Sequence, residues 1–172
     1  MPLTRQNAPL IVTALFGGED FAFLDALRQR HYPAAHNVVP AHCTMFSHLP
    51  PAIEPELRQR LSAATRGVAA PAARLAGVMD LNDGIAIRID SPGLEAIRDR
   101  LAEGFAGLLG AHDRAGWVPH VTVQNNVPRN VALAAKAELG ATFQPRPLRL
   151  AGLASWWYRG GPWEANSRHM FA

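Results

Sequence analysis

Two stretches of the chain run through the same order of elements and end on the same short string. In the first, an apolar β-rich run at Leu10–Phe16 leads through a helix over residues 21–30 to His42-Cys43-Thr44-Met45, and helical spacing follows over 54–66. In the second, the alternating run 85–90 leads through a helix over 92–109 to His120-Val121-Thr122-Val123, and a helix near 130–139 follows. From strand start to histidine takes 32 residues in the first stretch and 35 in the second. The order predicts a duplicated β-α-β-α unit, because each unit buries its apolar face only against another. The expected domain is one bilobal body over 1–172, with lobes drawn roughly from 8–80 and 84–172 and terminal strands exchanged between them.

Both strings read His, apolar, Thr, apolar. In a strand, residues i and i+2 share a face. His42 with Thr44, and His120 with Thr122, are therefore expected on one face, with Cys43, Met45, Val121 and Val123 packed behind. Two such strands side by side present two imidazoles and two hydroxyls to one groove. Imidazole takes or gives a proton near neutral pH, so one histidine can act as base and the other as acid. The threonine hydroxyls can donate to the non-bridging oxygens of a phosphate ester. The sequence does not assign acid and base between the two histidines.

The remaining punctuation fills in the other elements. Asn82-Asp83-Gly84 between strands at 74–79 and 85–90 is a hairpin signal. Ser91-Pro92 opens a helix in the favoured way, with Ser as N-cap and Pro first inside. Glu19-Asp20 is expected to cap the first helix, 110–117 to be a loop, and the last strands to lie near 148–158 and 163–171.

Composition narrows the setting. The 172 residues are 48% hydrophobic and 18% charged, with a net charge of +3 and a pI near 9.7. That describes a globular chain with mild attraction for an anion, and it contains no run of Lys or Arg that would grip long RNA. Lys136 is the only lysine. One cysteine, Cys43, excludes an intrachain disulfide and a multi-cysteine metal cluster. The apolar run after Arg5 passes into Glu19-Asp20 with no small-residue cleavage site and reads as a buried strand. No apolar stretch reaches the length of a membrane span. A cytoplasmic, monomeric protein with no obligate partner is expected.

The paired strings resemble those of the two-histidine (2H) phosphoesterase superfamily, and more nearly its LigT-like, 2′-5′ RNA ligase family proteins. The resemblance rests on Ala41-His42-Cys43-Thr44-Met45-Phe46, on Pro119-His120-Val121-Thr122-Val123-Gln124-Asn125, and on the histidine spacing of 78 positions. It implies an α+β fold with two antiparallel sheets flanking a central groove and helices outside. It implies His42 and His120 as catalytic groups and Thr44 and Thr122 as phosphate-binding hydroxyls. The implied reaction is the opening of 2′,3′-cyclic phosphates or related cyclic esters without a metal or cofactor, and some members also join RNA ends through a 2′-5′ bond. The expected ligand is a small nucleotide or the phosphate at an RNA end. The alternative is a binding module that holds such a ligand in the same groove without turnover.

Other residues are weaker candidates. Arg88 alternates away from three isoleucines and faces either the groove or solvent. Tyr158 and Phe46 are the candidates for stacking on a base, against a core role for at least two of Trp156, Trp157, Tyr158 and Trp163. Gln124 is a candidate contact at the end of the second string. His31, His36 and His48 lie near the first string without metal-ligand spacing, and Cys43 reads as a small buried hydrophobe rather than a nucleophile.

Overall fold

The computed structural model describes residues 7–172; Arg5 lies outside them. In chain order the elements are β1 (Leu10–Phe16), α1 (Gly18–His31), β2 (Cys43–Leu49), α2 (Glu54–Thr65), β3 (Arg74–Asp80), β4 (Ile85–Asp90), α3 (Pro92–Gly104), α4 (Ala111–Arg114), β5 (His120–Gln124), α5 (Arg129–Thr142), β6 (Arg146–Pro147), β7 (Leu150–Trp157) and β8 (Glu164–Met170). The strands form two four-stranded sheets, ordered β2-β1-β7-β8 and β5-β4-β3-β6. Every pairing is antiparallel. The fold is α+β, with five α-helices among the described residues.

The chain builds the first sheet from its two ends and the second from its middle. The β3–β4 hairpin keeps 74–80 with the second sheet, and β7 and β8 return to the first. The hairpin turns at Asn82, which has a positive φ of 73°. Gly84 is required beside it, because a Cβ there would stand 1.9 Å from the Gln124 carbonyl oxygen.

Apolar alternation places the core. Leu10, Val12, Ala14, Cys43 and Met45 of the first sheet are buried, as are Ile85, Ile87, Ile89, Val121 and Val123 of the second. They join one cluster with Leu57 and Leu61 of α2, Leu94, Ile97 and Leu101 of α3, and Leu139 of α5. Among the described residues, no helix is long and apolar enough to cross a membrane.

Element ends shift where local chemistry was misread. Helix α1 starts at Gly18, so Glu19 and Asp20 lie inside its first turn and Gly17 is an N-cap without a side-chain bond. Asp20 instead accepts from the Arg149 amide at 2.8 Å and the Arg146 guanidinium at 3.1 Å. Helix α3 begins as expected, with the Leu94 amide donating to Ser91 Oγ at 3.3 Å. It stops at Gly104 rather than near 109, and the turn beyond it passes through Gly107 at φ 85°. Phe105 still reaches the core, but Leu108 is exposed. The short helix α4 replaces part of the expected loop, and the two-residue β6 was not anticipated.

Candidate functional site

β2 and β5 are edge strands of their respective sheets, and they face each other across the groove between the sheets. The Cys43 thiol lies against the main chain of His120, and the charge of His120 is felt at His42. The two strings therefore meet.

Each imidazole is held in the same way. His42 Nδ1 lies 2.8 Å from the Pro40 carbonyl oxygen, and His120 Nδ1 lies 2.7 Å from that of Val118. In both, the ring turns back to the carbonyl two residues earlier. A carbonyl only accepts, so Nδ1 carries a hydrogen and Nε2 is left as the atom that exchanges a proton. Thr44 and Thr122 lie two residues on, half-buried on the same strand faces. Neither hydroxyl is engaged by another described side chain.

The environments of the two histidines differ. Trp163 packs on His42 with ring centroids 4.6 Å apart, and Trp156 stands behind it at 6.3 Å from Trp163. Burial pushes His42 down to about 4, against a raising effect of its bond to Pro40; the charges of Arg28 and His120 lower it further. Burial pushes the Cys43 thiol up to about 12. It points away from the groove and is not a nucleophile at neutral pH.

An edge strand leaves main-chain carbonyls without a strand partner. Here each lobe satisfies those of the other. Arg28 of α1 reaches over to donate to the Thr122 carbonyl at 2.8 Å, while its Nε donates to Asn37 at 2.8 Å and its guanidinium lies 4.0 Å from the Tyr32 ring. Arg98 of α3 reaches the other way, donating to the Met45 carbonyl at 3.1 Å and to that of Asp113 at 2.7 Å. Trp117 adds a bond from Nε1 to the Thr44 carbonyl at 3.0 Å. The buried Asp113 carboxylate receives the amides of Ser47 and His48. These bonds fix β2 and β5 against each other. No residue spacing signals them, because each is a contact between remote segments.

The weaker candidates separate. Arg88 pairs in register with His120, so the two share a face, and its side chain is exposed there. Phe46 is a correction. It is fully buried against Phe105, with its ring centroid 4.5 Å from the Arg98 guanidinium, and does not reach the groove. Gln124 is corrected for the same reason. Thr44 pairs with Thr13 but Phe46 with Val12, and Thr122 pairs with Ala86 but Gln124 with Ile85. Each string thus ends in a β-bulge, with Met45 or Val123 as the extra residue. A bulge reverses the alternation beyond it. The residue two beyond each threonine therefore turns inward, and Gln124 is left buried with Oε1 unpartnered among the described residues. Tyr158 is exposed just past β7 and does not line the cavity at His42. His31, His36 and His48 gather into no metal-binding group among the described residues.

That cavity has a volume of about 640 Å³ and opens from His42 along the groove face of the first sheet. Val38, Val39, Phe16, Phe21, Trp156 and Trp163 form its apolar lining, and Arg168 of β8 closes its far end. Thr13 lines it, but His120, Thr44 and Thr122 do not.

Comparison with known proteins agrees with this architecture. The family model of the 2′-5′ RNA ligase superfamily matches residues 17–162. Among solved structures, TT0787 of Thermus thermophilus aligns with a TM-score of 0.66 at 17% identity, covering 95% of this chain and 97% of its own. Escherichia coli LigT complexed with 3′-AMP aligns at 0.61 and 15% identity, over 96% and 99%. The same protein complexed with NADP+ aligns at 0.54 and 17%, over 96% and 98%. At these identities the likeness is one of fold. No curated protein sequence matches the chain.

Proposed function

The chain belongs to the 2′-5′ RNA ligase superfamily, and on that premise we propose that it is a metal-independent phosphodiesterase opening cyclic phosphates of the 2′,3′-cyclic nucleotide or RNA-end type. The observation that carries this reading is the matched seating of His42 and His120, each with Nδ1 tied to a carbonyl and Nε2 left for proton exchange. A nucleotide phosphate as ligand is supported by the E. coli LigT structure with 3′-AMP.

His42 is the base. Burial holds it neutral through the neutral range, so Nε2 has a lone pair for water. As that proton moves to His42, the water oxygen attacks phosphorus and the bond to one ribose oxygen breaks. His120, on the opposite lobe, gives a proton from Nε2 to that departing oxygen. Solvent then returns both rings to their starting states. The Thr44 and Thr122 hydroxyls donate to the non-bridging oxygens as charge builds on them, and Arg88 adds a positive charge beside His120. With the 5′-hydroxyl of a second RNA end in place of water, the same groups would act in the same direction: that hydroxyl attacks phosphorus as its proton passes to His42, the bond to the 3′ oxygen breaks as His120 gives it a proton, and the ends are joined through a 2′-5′ bond.

The test is turnover of 2′,3′-cyclic nucleotides and cyclic-phosphate-ended oligonucleotides with a chelator present. Ring opening under chelation is expected. Activity lost with the chelator would overturn the metal-free mechanism. No turnover of any substrate would overturn the enzymatic reading.

A further inference from the structure

The cavity at His42 carries more than the ring-opening chemistry uses. Its lining is mainly aromatic or apolar, and no carboxylate of the described residues contributes to it. Apolar side chains stay exposed at its mouth, Val38 at 56% and Phe21 at 38%. A volume of about 640 Å³ is that of a site for a whole small molecule rather than one phosphate. Arg168 is its one permanently charged residue, and its guanidinium has no ion pair or side-chain hydrogen bond among the described residues.

Register fixes where Arg168 stands. Thr44 pairs with Thr13, Thr13 with Ala154, and Ala154 with Arg168. These four residues cross the first sheet in one row on the groove face. Three strand spacings separate the Cα atoms of Thr44 and Arg168, about 14 Å. The reacting phosphate belongs at the Thr44 end, the aromatic wall lies along the row, and the free guanidinium ends it.

We propose that this cavity binds the body of the substrate, with its planar ring against the Trp156, Trp163 and Phe21 wall and a second anionic group, separate from the reacting phosphate, held by Arg168. The inference rests on the cyclic phosphodiesterase reading for which phosphate reacts. It names the substrate class as a nucleotide bearing a further phosphoryl group on its 5′ side, whether a 5′-phosphorylated mononucleotide or the last residue of an oligonucleotide. A guanidinium suits that group because its fork of N–H donors matches phosphate oxygens.

The test is equilibrium binding, read by quenching of tryptophan fluorescence, with adenosine 3′,5′-bisphosphate, 3′-AMP and inorganic phosphate as probes. The wild type is expected to bind the bisphosphate at least about tenfold more tightly than 3′-AMP at low salt, and inorganic phosphate more weakly than either. In Arg168→Gln the bisphosphate's advantage should fall to about threefold or less; the residue is exposed on an edge strand, and circular dichroism checks the fold. Equal binding of the two nucleotides by the wild type, or an undiminished preference in the variant, would overturn the proposal. Turnover of adenosine 2′,3′-cyclic phosphate with and without a 5′-phosphate separates the two readings. A retained binding preference with neither ester opened supports this cavity and defeats the phosphodiesterase reading. Both esters opened with no binding preference does the reverse.

Discussion

His42 is tied to the stability of the fold as well as to the proposed chemistry. Its folded value near 4 lies below the usual histidine value of about 6.5. Above pH 6.5 both folded and unfolded chains hold it neutral. As pH falls toward 4, the unfolded chain takes a proton that the folded chain refuses, so stability is lost across that window and levels off below it. Discounted for partial solvent access, the loss is on the order of 1 to 2 kcal/mol. Denaturant titrations at pH 7 and pH 4.5 should show a larger drop for the wild type than for His42→Gln by about that amount. The same neutrality should keep the base competent in mild acid, so the acid limb of kcat/KM in the free enzyme should fall near pH 4 rather than near 6.5.

Cys43 gives a second check at the same scale. Its thiol is fully buried and pushed up to about 12. It should resist iodoacetamide in the native state and react at the rate of an ordinary thiol once denatured. Rapid native alkylation would contradict its inward orientation. That orientation was legible from alternation alone, and so were the positions of His42, Thr44, His120 and Thr122. Alternation failed one step later, at Phe46 and Gln124, because a bulge inserts a residue that the apolar pattern does not mark.

Among the elements, the two motif strands depend on helices from the opposite lobe. Arg28 and Arg98 bring buried guanidinium groups to carbonyls that no strand satisfies. Arg98→Ala removes two main-chain bonds and the packing on Phe46, leaving buried carbonyls unpaired. It should cost about 2 to 4 kcal/mol in denaturant unfolding, and Arg98→Lys should recover little, because an ammonium cannot span both acceptors. Arg28→Met should cost about 1 to 3 kcal/mol. It should also lower kcat/KM, since it releases the carbonyl of Thr122 and removes a charge that His42 feels. An Arg98→Ala variant as stable as the wild type would refute the bracing role. The helices themselves were legible from their apolar spacing. What they reach across to touch was not, since a lone arginine in a helix gives no sign of a partner 94 residues away.

At the scale of the whole molecule, the two four-stranded sheets present their motif strands to each other. The repeat order led only to a repeated β-α-β-α unit; the two antiparallel sheets around a groove were implied by the family resemblance, and both sheets are present. The cavity beside His42 was less legible. It is assembled from β1, the start of α1, the 38–42 loop and the last two strands, so its residues are scattered along the chain. Trp156 and Trp163 stood out by composition, but only the return of β7 and β8 to the first sheet brings them to His42. The cavity also makes the two sides of the groove unequal. Under the proposed mechanism the base, His42, lies on the cavity side.

The central claim is that His42 and His120 act together on one phosphorus. The most direct measurement is kcat/KM for ring opening by the wild type, His42→Ala, His120→Ala and the double variant, under chelation. Each single change should cost about 10²- to 10⁴-fold. The double variant should lose little beyond the more damaging single one, because either loss already abolishes the concerted transfer. Fully multiplicative losses, or either single variant working at the wild-type rate, would contradict the claim.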